Sequence, residues 1–264
     1  MPRIGEISHG ADPIPWGVLV SEFMLQQTPV LRVLPKWDEW MERWPKPSDL
    51  AGVAQSEVVK AWGRLGYPRR ALRLHATSKI IASDFSDEVP SDIELLKTLP
   101  GIGDYTAKAI ASFAFGQSHN VLDINIRRVF ARLIDGNENP TQGITKSELN
   151  ERPIFGPTWS AAIMELGALI CTAKNPKCDK CPLARSCKWL ANGSPKSDQA
   201  RRPQSWHGTN RQCRGMILQH LRINTKPVRK DSFEWKDRDQ LERCLQQLID
   251  ERFIHAKSGR YTLS

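Results

Sequence analysis

The sequence predicts a mainly α-helical fold with a small mixed α+β module at its C-terminal end. Apolar residues recur at helical spacing in successive segments between residues 16 and 170. Four cysteines follow within seventeen positions, so we expect the helical part to end in a ligand-holding loop. Beyond residue 210, two amphipathic segments precede two short extended segments around Ser258-Gly259, a pattern typical of a hairpin.

The length and charge of the chain limit the classes of protein to consider. Its 264 residues suffice for one large domain, or for a medium domain with a small one. No apolar run approaches the roughly 20 residues of a membrane span, and the first residues lack the apolar core of a signal peptide. We therefore expect a cytoplasmic protein without membrane contact. Of the net charge of +9, +7 falls in residues 201–264, which favours a polyanionic partner over a merely solvated basic surface.

The first part of the chain is predicted to form consecutive helices over residues 16–27, 30–44, 56–63 and 69–83. The first of these helices is almost wholly apolar, and Glu22 is its single charged residue. A buried carboxylate is costly unless it is protonated or hydrogen-bonded, and burial favours the protonated form that a general acid needs. The alternative is a glutamate at the rim of an ordinary core helix.

A tight glycine turn, Leu99-Pro100-Gly101-Ile102-Gly103, separates two apolar segments of helical spacing. Gly101 and Gly103 adopt positive φ at little cost, and without side chains they let the backbone approach a ligand. The N–H groups of the turn and of the following helix then suit a phosphate. The alternative is an ordinary helical hairpin whose glycines only form the turn.

A third helical region, residues 121–133, has Asp123 near its start, and a further apolar helix is predicted over residues 158–170. From its position alone, Asp123 is either a functional carboxylate or simply the N-cap of its helix.

The cysteine loop consists of Cys171, Cys178, Cys181 and Cys187, and we expect these four thiols to be metal ligands rather than disulfide partners. Their spacing is compatible with either a zinc site or an iron–sulfur cluster. Lysines of the loop, among them Lys174 and Lys177, make it basic, so contact with a DNA backbone is also expected. Cys213 and Cys244, outside the loop, are interpreted as packing residues.

The domain organisation predicted from these patterns has three parts. Residues 1–190 form the helical domain with the cysteine loop, residues 191–209 have the composition of a linker, and residues 210–264 form a small basic module. The module has the element order of a winged helix, with helices over 211–222 and 238–251 followed by the hairpin.

Taken together, residues 16–188 resemble the helix-hairpin-helix base-excision DNA glycosylases with a cysteine-bound cluster, and most closely the MutY-type adenine DNA glycosylases. The resemblance rests on several motifs in the family's order: Ser21-Glu22-Phe23-Met24-Leu25-Gln26-Gln27-Thr28, Leu65-Gly66-Tyr67, Leu99 to Gly103, Leu122-Asp123 with Asn125, and Ile163 to Cys171. It implies the helix-hairpin-helix glycosylase fold and a 4Fe–4S cluster, rather than zinc, at the four cysteines.

The resemblance also implies a division of catalytic work. Glu22 would protonate N7 of adenine, and Asp123 would stabilise or trap the oxocarbenium ion at the sugar, since two carboxylates commonly flank a glycosidic bond that breaks. Tyr105 would assist at the sugar, and Asn125 would orient the carboxylates. The bifunctional relatives carry a nucleophilic lysine where this chain has Tyr105, so little strand-cleaving activity is expected.

By the same resemblance, the DNA contacts would come from several separate elements. Gln27 and Tyr67 would enter the duplex and hold it open, while Gly101 and Gly103 would anchor a phosphate. The implied substrate is double-stranded DNA with adenine opposite 8-oxoguanine or guanine, bound by a monomer associated with the nucleoid. Three alternatives are a thymine glycosylase acting on T/G mismatches, a non-catalytic protein that binds damaged DNA, and a zinc-stabilised transcription factor.

The sequence departs from the family pattern at several points. Ile124 replaces the glycine that usually separates the aspartate from the asparagine, and Pro68 replaces the second tyrosine of the Gly-Tyr-Tyr turn. The family's C-terminal domain, which reads 8-oxoguanine, is not recognisable, so the preference for that opposite base is only an expectation. The family helix before Glu22 is also missing, which would be explained by a misassigned start at Met1.

Overall fold

The computed structural model describes residues 14–140, 156–196 and 205–264, and helices dominate all three ranges. The helices are α1 (Pro15–Leu25), α2 (Val30–Arg43), α3 (Pro47–Ala51), α4 (Gln55–Trp62), α5 (Arg69–Asp84), α6 (Ile93–Thr98), α7 (Asp104–Phe115), α8 (Ile124–Phe130), α9 (Pro157–Leu169), α10 (Lys188–Ala191), α11 (Asn210–Ile223) and α12 (Arg238–Asp250). Within these ranges, no helix is both long and apolar enough to cross a bilayer.

The described residues divide into two compact units. The first unit contains residues 14–22, 90–140 and 156–196, and the second contains residues 23–89 and 205–264. The boundary falls within α1, immediately after Glu22. The predicted linker over residues 191–209 lies partly outside the described residues, and the domain boundaries drawn from the sequence stay a prediction.

The first unit is held together by an apolar core in which α7, α8 and α9 meet. Its buried members are Val18, Ala109, Phe113, Val121, Ile126, Phe130 and Met164. The helix predicted over residues 121–133 begins at Ile124, because Asp123 caps it, and it continues beyond Phe130 as a π-helical turn over Ala131–Asp135. This core fixes the start of α8, where Asp123 lies.

The second unit joins the C-terminal module to the helices that precede residue 90. Val59 of α4 is fully buried in the same core as Ile217, Leu245 and Phe253 of the module. Cys213 and Cys244 are also fully buried in this core, so their interpretation as packing residues is confirmed. Burial, together with the neighbouring Cys244, raises the pKa of the Cys213 thiol to about 12, which keeps it protonated.

The module has the helix, strand, helix, hairpin order that the sequence predicts. Strands β1 (Val228–Arg229), β2 (Ile254–Lys257) and β3 (Arg260–Leu263) form an antiparallel sheet in the order β1-β3-β2. Tyr261 of β3 lies opposite Val228 on one side and Ala256 on the other. The hairpin turns at Ser258 and Gly259, which both have positive φ.

Candidate active site

Glu22 is buried in α1, as its apolar surroundings in the sequence predict. Its exposed fraction is 4%, and the neighbouring Ser21 hydroxyl donates to the Val18 carbonyl oxygen at 2.8 Å. Val18, one turn earlier on α1, belongs to the core of the first unit. The carboxyl group is therefore held by a rigid helix rather than at an exposed rim.

Asp123 is both the N-cap of α8 and the partner of Asn125. One carboxylate oxygen accepts a hydrogen bond from the backbone N–H of Ile126 at 2.7 Å, and the other accepts from Asn125 Nδ2 at 2.7 Å. Capping is thus a real role of Asp123, and it leaves the carboxylate with a fixed orientation. Of the four predicted catalytic residues, Asp123 and Asn125 are joined directly, while Glu22 and Tyr105 belong to the same compact unit.

A buried arginine that the sequence analysis did not single out holds Asn125 in place. Arg128 Nη2 donates to Asn125 Oδ1 at 2.8 Å and also to the carbonyl oxygen of Gly167. Its Nε donates to the carbonyl oxygen of Cys171 at 2.7 Å. One side chain therefore connects Asp123, through Asn125, to the first cysteine of the loop.

Gly167 allows α9 to approach α8 at this point. A Cβ atom at position 167 would lie 2.7 Å from Cβ of Asn125 and 3.0 Å from its carbonyl oxygen. Because real Cβ atoms do not approach other atoms so closely, glycine is required here for the packing of the two helices.

Tyr105 lies in the first turn of α7, next to the turn that precedes this helix. It is half-buried and packs against the core of the first unit. Gly101 has φ +87°, as expected for a tight glycine turn, but Gly103 is extended and serves as the N-cap of α7. Positive φ is therefore found at Gly101 and not at Gly103. A Cβ atom at position 103 would meet open space, so neither backbone conformation nor packing requires glycine there.

In the second unit, Gln27 and Tyr67 are exposed residues of two turns with unusual backbone conformations. Their φ values are +55° and +46°, a region that non-glycine residues enter at a cost. Arg70 explains how both turns are held. It donates to the carbonyl oxygens of Gln26, at 2.6 Å, and of Gly66, at 3.1 Å.

Arg70 also reaches α1, where it donates to the carbonyl oxygens of Phe23 and Met24 at 2.8 and 2.9 Å. Burial lowers the pKa of this guanidinium to about 10, so it remains charged at neutral pH. Its partners in α1 lie more than forty positions away in the sequence, so local sequence patterns did not reveal this role of Arg70.

The four loop cysteines line one small cavity of about 30 Å³, together with Arg132 and Trp189. All four thiols are half-buried and line this one cavity. Four thiolates are the ligand set that a 4Fe–4S cluster takes, so the residues present fit such a cluster. Burial and the neighbouring thiols, Cys171 first among them, raise the pKa of Cys178.

Arg132 braces this loop from α8's π-helical extension. Its Nη1 donates to the carbonyl oxygen of Thr172 at 2.8 Å and lies 3.5 Å from Cys171 Sγ, while its guanidinium lies 4.8 Å from the ring centroid of Trp189. Lys174 and Lys177 are exposed on the same loop, where they are available to a phosphate backbone.

Two of the departures from the family pattern, Ile124 and Pro68, lie at helix starts. Ile124 is the first residue of α8 and is 52% exposed, and Asp123 still caps the helix and binds Asn125. Pro68 occupies the N-cap position of α5, where the absence of an N–H group costs no hydrogen bond.

Comparison with known proteins relates the whole chain to DNA repair enzymes. A family model described as "HhH-GPD superfamily base excision DNA repair protein" matches residues 20–153, and one described as "Iron-sulfur binding domain of endonuclease III" matches residues 171–187. The chain is 45% identical to the adenine DNA glycosylase of Mycolicibacterium smegmatis, with 94% of this chain and 87% of that protein covered. It is 37% identical to the human adenine DNA glycosylase, with 70% and 35% covered.

Two solved structures share the fold over about 70% of this chain. A thermostable thymine-DNA glycosylase matches with a TM-score of 0.60 at 26% identity, covering 70% of this chain and 87% of that one. A non-covalent endonuclease III–DNA complex matches with a TM-score of 0.60 at 24% identity, covering 69% and 87%. The predicted fold class is thereby confirmed.

Proposed function

Because the chain belongs to the adenine DNA glycosylase family, within the HhH-GPD superfamily of base excision DNA repair proteins, we propose that Glu22 and Asp123 carry out the hydrolysis that releases adenine from duplex DNA. The observation that carries this proposal is the environment of Asp123. Both of its carboxylate oxygens are occupied by hydrogen bonds that fix its direction, which a cap alone does not require.

Glu22 is the proposed acid. Adenine is a poor leaving group as an anion, and protonation of its ring at N7 weakens the bond to the sugar. The base must first leave the stack for an acid to reach it. Glu22 is only 4% exposed, and burial disfavours a charged carboxylate, so its environment suits the proton-donating role that we propose.

Asp123 is the residue that we propose to stabilise the sugar as the glycosidic bond breaks. As the glycosidic bond breaks, positive charge develops on the sugar ring, and a carboxylate directed at it stabilises that charge or traps it covalently. Asn125 holds one carboxylate oxygen, and Arg128 holds Asn125. Tyr105 is proposed to assist at the sugar, and it has no amine with which to form a Schiff base, so strand cleavage is not part of the reaction.

Four further elements are proposed to contact DNA. Gln27 and Tyr67, in their two strained turns, enter the duplex, and the turn at Gly101 and Gly103 binds a phosphate at the start of α7. Lys174 and Lys177, which are exposed on the cysteine loop, contact the backbone.

The chain carries an iron–sulfur domain, in which Cys171, Cys178, Cys181 and Cys187 hold a 4Fe–4S cluster. Their four thiolates would be its ligands, and the bound cluster would thereby fix the loop. Arg132 and Arg128 hold the loop as well, because they donate hydrogen bonds from the α8 segment to its carbonyl oxygens.

We propose adenine opposite 8-oxoguanine or guanine as the substrate, bound by one copy of the chain. The test is single-turnover release of adenine from duplexes with adenine opposite 8-oxoguanine, adenine opposite guanine, or thymine opposite guanine. Fast adenine release supports the proposal. Release of thymine alone, which the likeness to a thymine-DNA glycosylase makes the second candidate, would overturn it.

Asp123→Asn separates catalysis from binding in the same assay. Asparagine caps helices about as well as aspartate, so the start of α8 should be preserved. We expect this variant to bind the duplex and to lose excision. Equal loss of binding and excision would favour the alternative of a non-catalytic DNA-binding protein.

A further inference from the structure

A basic groove lies within the second unit, between α11 and the turn at residues 63–69. Its volume is about 1140 Å³. Among the described residues that line it are six arginines and a single acid, Glu234; the arginines are Arg32, Arg64, Arg69, Arg211, Arg214 and Arg222. This balance of charge selects for a polyanion.

Several of these arginines also have structural partners within the second unit. Arg69 and Arg214 form ion pairs with Glu251, and Arg222 donates to the carbonyl oxygen of Val59 at 3.1 Å. Burial lowers the pKa of Arg222 to about 10. Arg32 donates to the carbonyl oxygen of Arg64. Arg32, Arg64 and Arg211 are all exposed along the groove, where phosphates can reach them.

Two aromatic rings flank one of the exposed arginines. The guanidinium carbon of Arg211 lies 4.8 Å from the ring centroid of Tyr67 and 5.4 Å from that of Trp206. Both rings are largely accessible, with exposed fractions of 40% for Tyr67 and 46% for Trp206. Exposed aromatic rings beside arginines in a basic groove are the usual platform on which proteins stack the bases of a single strand.

We infer that this groove binds an unstacked stretch of a DNA strand, with a base on Trp206 and its flanking phosphates on Arg32, Arg64 and Arg211. The inference rests on the proposed function, since removal of a base from the stack leaves its partner base unpaired. The inference adds a DNA-binding site on α11. This helix lies outside residues 20–153 and 171–187, which the two family models match. The C-terminal module thereby becomes part of the DNA-binding surface.

The test is fluorescence anisotropy of the full chain with a duplex whose adenosine carries a 2′-fluoro group and is not excised. Trp206→Ala should weaken binding about tenfold without changing the salt dependence, because stacking releases no counterions. Trp206→Phe should restore most of the affinity. Arg211→Ala should reduce the slope of log affinity against log salt by roughly 0.7 to 0.9.

Arg243→Ala is the matched control. Arg243 is an exposed arginine of α12 that does not line the groove, so its loss removes the same charge from the same module. It should leave both affinity and salt dependence unchanged. Trp206 lies outside the buried core of the second unit, and unchanged thermal melting of Trp206→Ala would show that the fold is retained.

The inference is overturned if Trp206→Ala binds like the wild type, or if Arg243→Ala reproduces the effect of Arg211→Ala. These outcomes are independent of the proposed reaction. A chain that releases no adenine but loses affinity in Trp206→Ala would contradict the proposed function and leave the groove in place.

Discussion

Arg128 donates a hydrogen bond of 2.7 Å to the carbonyl oxygen of Cys171, the first cysteine of the iron–sulfur loop. The same guanidinium holds Asn125, which in turn holds the carboxylate of Asp123. The position of the proposed catalytic carboxylate therefore depends on a residue that also anchors the cluster loop.

Arg128→Lys should slow excision about 10- to 100-fold, because an ammonium group cannot reproduce the fork that joins Asn125, Gly167 and Cys171. The measurement is the single-turnover rate at saturating enzyme, with DNA affinity recorded in parallel. Arg243→Lys, on the exposed face of α12, should retain the wild-type rate. A rate unchanged by Arg128→Lys would show that Asp123 does not need this support.

Loss of the cluster should also disturb the position of the Asp123 carboxylate. In Cys178→Ser the cluster should bind less firmly, and the visible absorption of the purified protein should decrease. We expect excision to fall with it, because the carbonyl oxygen of Cys171 would no longer be held where Arg128 meets it. Cys213→Ser, in the core of the second unit, is the control and should leave the absorption unchanged. Full excision by a cluster-free protein would contradict this dependence.

Gly167→Ala should destabilise the first unit by about 1 to 3 kcal/mol, the usual cost of overpacking a well-packed contact. The added methyl group would meet Asn125 at 2.7 Å, so excision should decline as well. Thermal melting and single-turnover kinetics measure the two effects. Gly215→Ala in α11, where a Cβ atom meets open space, should instead leave the melting temperature unchanged or raise it.

Tyr105→Lys should introduce strand cleavage. A lysine at this position places an amine where the phenol now lies, and an amine can form a Schiff base with the sugar. Borohydride should then trap the variant on DNA, whereas the wild type and Tyr105→Phe should give little trapped product. Efficient trapping of the wild type would refute the proposed hydrolytic reaction.

Glu251 should contribute stability that depends on pH. Burial opposes its ionisation, but hydrogen bonds and charge from Arg214 and Arg69 outweigh burial and lower its pKa to about 2. The folded-state pKa lies below the usual value of 4.5, so the contribution is complete above pH 4.5 and is lost as the pH falls towards 2.

The measurement for this ion pair is urea unfolding of Glu251→Gln. Because Arg69 is 61% exposed, solvent screening should limit the loss to about 1 kcal/mol at pH 7. The difference from the wild type should shrink at pH 3. Glu242→Gln, which breaks a more exposed pair with Lys230, is the control and should have a smaller effect. A difference that is constant between pH 7 and pH 3 would contradict the assignment.

The sequence was sufficient where function depends on residue type and local spacing. Glu22 on an apolar helix, Asp123 at a helix start and the cysteine spacing were all recognisable, and the longer helices begin and end within about three residues of their predicted bounds. Helix α3 was missed, because its five residues are too few to show a period.

The residues that the sequence did not reveal act through distant contacts. Arg128 meets Gly167 and Cys171 about forty positions away, and Arg70 meets α1 at a similar separation. Arg211 joins Tyr67 only because α11 packs in the same unit as the turn at residues 63–69. An arginine on a helix gives no local sign of such a partner, so these roles required the fold.

The core that Val59 shares with the C-terminal module has a consequence for shortened forms of this protein. A nonsense mutation between residues 205 and 213 would remove every core residue of the module, with which Val59 shares its core and against which Leu72 packs. The remaining polypeptide would retain every proposed catalytic residue and all four loop cysteines, but it would expose an apolar surface that is prone to aggregation. Such an allele should therefore act as a loss of function through aggregation and proteolysis, even though nothing in its chemistry has been deleted.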